Sequence, residues 1–231
     1  MSTEMPPAGR DPMSAAKLQI LATEHWSLLA TRSLTYTESL GRVNMFLAIL
    51  SGGVIALALV AQADRFGSTF IGVAIVMLSV VFFTGVSTIA RLMMLNRDDF
   101  RWVVGMNRLR HAYLELHPEL EPNFITSQYD DLPGALQTLG IDITAGPRLG
   151  SVGHGLVTLP GLLSVIVAAV AGAIGALAAV AIGLPLLGVL LAGAAAFLLA
   201  GVWLGISRRR AFIDLVRASS HGSRRQKVRL A

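Results

Sequence analysis

The chain has 231 residues, of which 54% are hydrophobic and only 14% are charged, whereas soluble domains carry about 25% charged residues. A chain of this length cannot bury so large an apolar excess inside one globule. The composition therefore excludes an ordinary soluble enzyme and predicts a protein that is solvated by lipid. The chain contains no cysteine, which excludes disulfides, thiolate metal sites and cysteine nucleophiles.

Two stretches without a charged residue, 43–63 and 66–90, are separated only by Asp64 and Arg65. Each stretch is long enough to cross a hydrocarbon core, which needs about 20 residues of helix. So short a connection predicts a hairpin of two membrane spans.

A third uncharged stretch runs from residue 149 to residue 207 and is about twice as long as one span requires. It must turn back once, and Gly183-Leu184-Pro185 is the best place for that turn. The predicted spans are 159–182 and 185–206, which together form the second hairpin, 159–206. We expect an all-α integral membrane protein with four transmembrane helices in two hairpins and helical extensions in the cytoplasm.

Arginine and lysine residues concentrate on one side of the predicted hairpins. The 62–67 turn contains one arginine and the 183–185 turn contains none, while the remaining cations lie near the termini and in the central loop, 91–148. The positive-inside rule then places both termini and the central loop in the cytoplasm. Residues 1–42 contain no apolar signal core, so the first span is expected to be retained. Arginine outnumbers lysine 17 to 2, which is typical of GC-rich coding and indicates a bacterial inner membrane.

The first hairpin is flanked by two helices with apolar stripes, and together these elements cover residues 14–116, after a disordered N-terminus at 1–13. A short turn makes the two spans antiparallel neighbours, so we expect the stripes to pack against each other, with Asp99 facing Arg32 or Arg42. Binding of the stripes to a partner protein is the alternative. The first stripe comprises Ala22, Trp26, Leu29, Ser33, Tyr36, Leu40 and Val43, and the second comprises Leu92, Leu95, Asp99, Trp102, Met106, Leu109, Tyr113 and Leu116.

The segment 117–158 is predicted to be an acidic cytoplasmic loop, since residues 111–147 carry a net charge of −6 without any lysine or arginine. Within this loop, Asp131-Leu132-Pro133 predicts the capped start of a short helix. We interpret the nearby histidines and glutamates between His111 and Glu121 as solvated charge, because their spacing matches no strong zinc pattern.

The C-terminal segment 207–231 has a net charge of +7. Such a cluster beside a membrane span attracts anionic lipid headgroups, by about 1 kcal/mol per cation; fixing the topology alone is the alternative. No aromatic residue follows Phe212 to stack a nucleic-acid base, so nucleic acid is not expected as a partner. We also expect this basic tail to contact the acidic loop at low salt. The predicted lipid-binding residues are Arg208, Arg209, Arg210, Arg217, Arg224 and Arg225.

Small residues spaced by four along the spans predict helix-packing faces, within one chain or between copies. Serine and threonine hydroxyls in the second span, at Ser79, Thr84, Ser87 and Thr88, are expected to bond back to their own backbone; lining a narrow wet path is the alternative. The predicted helix-packing glycines are Gly52, Gly175, Gly183, Gly201 and Gly205.

Residues 108–131, RLRHAYLELHPELEPNFITSQYDD, resemble a segment of bacterial multi-pass membrane proteins to which no activity is attached. The order of elements in residues 14–116 resembles the two-transmembrane effector domains of nucleotide-sensing defence systems, and this likeness implies a membrane-perturbing pore. The second hairpin departs from that plan.

No catalytic, cofactor-binding or metal-binding residues are predicted. Ser127, for example, lacks the glycines of a nucleophile elbow. We therefore expect a non-enzymatic membrane protein that acts as a scaffold or partner-binding component, with an oligomeric pore as the alternative. A homo-oligomer and an unknown membrane partner are both open.

Overall fold

The structure, a computed structural model, describes residues 12–141 and 158–229, with side chains at 13–141, 158–211 and 213. Every regular element in this part of the chain is helical, as the sequence predicted. The elements are α1 (Pro12–Asp64), α2 (Ser68–Leu116), a 3-10 helix (Pro118–Asn123), α3 (Leu132–Thr138), α4 (Leu159–Ala181) and α5 (Leu186–Arg229).

Four of these helices are long and apolar enough to cross a membrane. Two of them, α4 and α5, follow each other closely, and the predicted spans 159–182 and 185–206 match them to within a residue at three of their four ends. Helix α5 does not stop at residue 206, however, and continues to Arg229. The predicted basic tail is therefore helical as far as residue 229. Helices α1 and α2 likewise extend well beyond the spans 43–63 and 66–90.

The turn between α1 and α2 is built by residues 65–67. Arg65 and Phe66 adopt positive φ angles of 48° and 63°, a left-handed conformation that ends α1. The Asp64 carboxylate accepts a 2.7 Å hydrogen bond from the backbone N–H of Phe70 in the first turn of α2. Satisfying an otherwise unpaired amide in this way stabilises the start of the helix.

The turn between α4 and α5 lies where the sequence predicted it. Gly183 has a φ of +75°, and its N–H donates to the carbonyl of Val180, while the N–H of Leu184 donates to the carbonyl of Ala179. This is the hydrogen-bond pattern of a glycine C-cap. Gly183 therefore acts as a turn residue, with no other atom within 4 Å of where its Cβ would stand.

The described chain divides into two compact units. The first, here called the polar unit, comprises residues 12–36, 97–141 and 216–229. The second, the apolar unit, comprises residues 37–96 and 158–215. The core of the apolar unit draws on α1, α2, α4 and α5 and consists of Phe46, Val81, Ile89, Leu92, Leu95, Leu163, Val167, Val170 and Leu204.

Gly85 of α2 lies at a close contact between three helices of the apolar unit. A Cβ at this position would overlap Val167 of α4 and lie 2.9 Å from the ring of Phe46 on α1. Lipid tails are as apolar as the side chains of the spans, so helix association in a membrane depends on close packing of this kind.

The predicted helix-packing glycines differ in their surroundings. A Cβ at Gly175 would lie 2.6 Å from the Cβ of Ala196 on α5, so α4 and α5 meet there, whereas a Cβ at Gly201 would lie 3.9 Å from Ala168. Gly52 and Gly205 have no atom within 4 Å of the corresponding position. The spacing of glycines in the sequence therefore does not distinguish glycines at helix contacts from glycines on open faces.

Candidate interaction surface

In the polar unit, α1 and α2 are held together by polar and aromatic contacts. Arg32 of α1 donates two hydrogen bonds to the Asp99 carboxylate, at 2.6 and 3.3 Å. The ring of His25 stacks on Tyr113 with 6.0 Å between centroids. Leu28 lies between these two contacts and packs toward a glycine of α2. The contact face of α1 thus follows the 3-4 spacing of a helix pair.

The predicted pairing of the two stripes is wrong for α1. Trp26 and Tyr36, both in the predicted stripe, are 71% and 66% exposed, and α2 is contacted by residues such as His25 and Arg32 instead. A shift of one residue rotates a helix face by about 100°. The physical reason is that Asp99 interrupts the α2 stripe and requires a cation, whereas apolar periodicity takes no account of that requirement. The alternative of facing Arg32 is confirmed.

As a result, α1 exposes a broad face of mostly apolar residues. Glu24 and Arg32 lie outside the arc of the helix that these residues occupy, whereas Glu38 lies at the edge of the arc, at the same angular position as Ile20. We call these residues the α1 face: Ile20, Trp26, Leu29, Leu34, Tyr36 and Leu40. Contiguous exposed apolar surface of this kind marks an interaction site more often than chance.

A three-residue ion cluster joins α1 and α2 at the edge of the apolar unit. The Glu38 carboxylate accepts hydrogen bonds from Arg91, at 3.0 and 3.1 Å, and from Arg42, at 2.9 Å. These hydrogen bonds, that from Arg91 first, lower the pKa of Glu38 to about 2. The carboxylate is therefore ionised at physiological pH, and the cluster joins the two helices just before the first predicted span begins and just after the second one ends.

Asn107 is the centre of a buried network in the polar unit that the sequence reasoning missed. Its side chain is fully buried. Its amide donates to the Tyr129 carbonyl at 2.8 Å, and its oxygen accepts from Arg110 at 2.6 Å and from Thr138 at 3.0 Å. One side chain thus ties α2 to the loop and to α3. The only signal in the sequence is that Asn107 directly follows the uncharged stretch 102–106.

Arg110 is buried and has the neutral amide of Asn107 as its hydrogen-bond partner. Burial and the nearby Arg32 lower the pKa of this guanidinium. Burial and the charge of Arg110 likewise lower the pKa of His25. His25 is therefore neutral at physiological pH and sits beside a permanent cation.

The candidate chemical residues of the acidic loop make local contacts. His111 lies 3.5 Å from Glu115, and His117 lies 2.9 Å from Glu119. Within 13–141 and 158–211, no group of three or more histidine or acidic side chains could hold a metal ion. The Ser127 hydroxyl accepts a hydrogen bond from the backbone of Tyr129.

The predicted helix after Asp131 is confirmed. The Asp131 carboxylate accepts a 2.9 Å hydrogen bond from the Gly134 N–H at the start of α3. Part of the predicted acidic loop, residues 142–157, lies outside the described residues, as do residues 1–11 of the predicted disordered N-terminus.

Three of the hydroxyls in the second span bond back to their own helix, as predicted. Ser79, Thr84 and Thr88 each donate to the carbonyl four residues earlier, at 2.7, 2.8 and 2.8 Å. A hydroxyl satisfied in this way has less need of water or an ion.

The predicted lipid-binding arginines lie on α5. Arg209 and Arg210 are exposed, and Arg208 approaches the Thr158 hydroxyl at 3.5 Å. The side chains of Arg217, Arg224 and Arg225 lie outside the described side chains, so their contacts with lipid or with the acidic loop remain predictions.

No family model matches the chain, and searches of the curated proteins and of the solved structures gave no match either. Function therefore has to be inferred from the surfaces and contacts of the chain itself. The side chains of the α1 face, most of them in the polar unit, are exposed among the described residues.

Proposed function

We propose that this chain is a non-enzymatic multi-pass membrane protein that acts as a scaffold or partner-binding component. The observation that carries the proposal is the α1 face. Outside the predicted spans, a soluble surface would normally carry charge at such positions. Trp26 and Tyr36 are instead exposed at this surface, and both residue types are enriched at protein–protein interfaces.

The test is to replace the two aromatic residues of the α1 face, as Trp26→Gln and Tyr36→Gln together. Both side chains are exposed, so the chain should still fold. We expect the unmodified protein, purified in mild detergent, to have a mass larger than one chain by light scattering, and the double variant to have the mass of one chain.

Ile125→Gln is the matched control, because Ile125 is 97% exposed but lies in the loop after the 3-10 helix. This variant should keep the larger mass. An unmodified protein with the mass of a single chain would contradict the scaffold proposal, as would a double variant that retains the full mass.

The membrane and the orientation are part of the proposal. Cations flank the predicted spans on the side of the termini and the central loop, which supports an orientation with both termini in the cytoplasm, and the excess of arginine over lysine supports a bacterial inner membrane. Single cysteines at Ser68 and Ile125 test this in the cysteine-free chain, since both positions are exposed. An impermeant thiol reagent should label Ser68→Cys in intact cells and Ile125→Cys only after lysis. Labelling of Ile125→Cys in intact cells would contradict the orientation.

Anionic lipid is proposed as the ligand of the basic part of α5, on the strength of its net charge. Replacing Arg208, Arg209, Arg210, Arg217, Arg224 and Arg225 by glutamine should remove the preference of the purified protein for vesicles with phosphatidylserine over neutral vesicles. Equal preference before and after replacement would exclude this role.

The oligomeric pore receives less support from the same helices. Three of the four hydroxyls predicted as candidates in the second span, those of Ser79, Thr84 and Thr88, have a backbone partner. A conducting path needs polar groups or a constriction that can wet. We expect the reconstituted protein to leave a liposome ion-flux assay at its baseline. Ion flux that Thr84→Leu abolishes would favour the pore.

A further inference from the structure

Helix α1 carries a second seam on the side that does not contact α2. Its members alternate at steps of four and three, which is the spacing of a coiled-coil seam. The spacing holds for ten consecutive positions, and every one of them is exposed. We call this set the α1 seam: Trp26, Ala30, Ser33, Thr37, Leu40, Asn44, Leu47, Ser51, Val54 and Ala58.

The α1 seam contains no charged residue. From Leu40 onward it alternates between a larger apolar side chain, such as Leu40 or Leu47, and a smaller or polar one, such as Ser51 or Ala58. Alternation of large and small residues allows knobs on one helix to fill holes on another. The contact face toward α2, which includes Phe46, lies on other positions of the helix.

Asn44 stands inside this seam at the start of the first predicted span. It is exposed, and no described residue forms a hydrogen bond with its side chain. An amide that faces hydrocarbon without a partner is unfavourable. In membrane helices, asparagine side chains bond across to another helix, and a single asparagine in a seam selects the register and the number of helices.

We propose that the α1 seam pairs with the same seam of a second copy of this chain, in a parallel, in-register dimer in which the two Asn44 amides bond to each other. This dimer rests on the proposed function, because it identifies a second copy of the chain as a partner that the scaffold binds. Copies inserted with the same topology present α1 in the same direction, so the pairing is parallel. Each amide offers a donor and an acceptor, which makes Asn44 self-complementary.

The larger side chains of the α1 seam are available for such a dimer. Trp26 is 71% exposed, Leu40 44%, Leu47 38% and Val54 56%. The absence of charge also removes any like-charge repulsion between identical helices.

Disulfide trapping in the cysteine-free chain tests the pairing directly. Leu47→Cys and Ile49→Cys are a matched pair, since the two residues are 38% and 39% exposed, but only Leu47 belongs to the seam. Under mild oxidation in native membranes, Leu47→Cys should form a disulfide-linked dimer, whereas Ile49→Cys should stay largely monomeric. Equal yields at the two positions would overturn the proposal, because random collision would explain them.

The role of Asn44 is tested by Asn44→Leu and Asn44→Gln, with dimerisation measured by energy transfer between labelled copies in vesicles. Asn44→Leu should weaken the dimer by about 3-fold to 30-fold, and Asn44→Gln should recover most of the loss. An unchanged dimer in Asn44→Leu would overturn the assignment of Asn44.

The two proposals fail in different ways. A complex larger than one chain that disappears in the Trp26→Gln, Tyr36→Gln variant, together with no preferential trapping at Leu47, would leave the scaffold standing and overturn the second copy as its partner. A monomeric protein with no trapping at Leu47 would overturn both proposals.

Discussion

Arg32 and Asp99 meet across α1 and α2 through two hydrogen bonds, from Nε to Oδ1 and from Nη2 to Oδ2. A guanidinium and a carboxylate joined at both ends fix the direction of each side chain as well as their distance. This pair therefore contributes to the orientation of α1, with the side that carries Arg32 turned toward α2. The same rotation leaves Trp26 and Tyr36 on the outside.

The Arg32–Asp99 pair should be coupled energetically. In a double-mutant cycle with Arg32→Gln and Asp99→Asn, we expect a coupling of about 1 kcal/mol, near the upper end for partly exposed pairs. The control is Arg101 with Asp98, one turn apart on α2 and joined by one longer bond of 3.4 Å. Its coupling should be close to zero. Unfolding in mixed detergent measures both, and equal couplings would contradict the special role of Arg32.

Replacing Asn107 should loosen the loop that it holds. Asn107→Leu removes the partner of a buried guanidinium and of the Tyr129 carbonyl, and a buried polar group left without a partner costs about 1–3 kcal/mol. We expect limited proteolysis between residues 123 and 131 to become faster. Asn123→Leu, at an exposed position, is the control and should leave the cleavage rate unchanged. An unchanged rate in Asn107→Leu would mean that the loop is held by other contacts.

Gly85 and Gly72 on α2 provide a comparison within one helix. Gly85→Ala places a methyl group against Val167 and Phe46, while Gly72→Ala meets no atom within 4 Å. Overpacking typically costs about 1–3 kcal/mol, so Gly85→Ala should lower the thermal midpoint and Gly72→Ala should not. If both variants have the same thermal midpoint as the unmodified protein, the three helices are not as closely packed at Gly85 as described.

The stability of the polar unit should fall on acidification because of His25. The ordinary histidine pKa is about 6.5, and burial together with Arg110 lowers it in the folded state. Below about pH 6.5 the unfolded chain therefore binds more protons than the folded chain. The stability that neutral His25 provides is fully present above the histidine pKa of the unfolded chain, and it is lost as the pH falls through the lower pKa of the folded chain. His25→Phe keeps a ring against Tyr113 and should reduce the loss of thermal stability between pH 8 and pH 5. An undiminished loss would assign the effect to other groups.

The spans and turns could be predicted because lipid imposes a simple requirement, a long run without charge that ends where charge returns. Gly183 and Asp131 could be predicted for a similar reason, since a C-cap and an N-cap each depend on one local residue type. The rotation of α1 could not, because Arg32 and Arg42 were both candidates for Asp99 and apolar periodicity favours a different side of α1 from the one that carries Arg32. The roles of Asn107 and Gly85 could not be predicted either, because each residue contacts segments that come together only in the folded chain.

Small-residue spacing gave no means of choosing between Gly175, which packs against Ala196, and Gly52, which faces open space. Both have the same local sequence character, and only the partner helix distinguishes them. The heptad spacing of α1 had the same ambiguity, since its apolar periodicity indicates the side that carries Trp26 and Tyr36, whereas His25 and Arg32 on another side contact α2.

The tight turn at residues 65–67 has a consequence for how this chain can vary. Phe46 and Gly85 lie at nearly equal sequence distances from the turn. Surface turns usually tolerate insertions, but here two left-handed residues and the hydrogen bond from the Phe70 N–H to the Asp64 carboxylate close the connection in three residues, and one extra residue would break that hydrogen bond. Related chains should therefore differ in the residues of this turn and yet keep its length, so that a surface connection is constrained as strictly as a buried core.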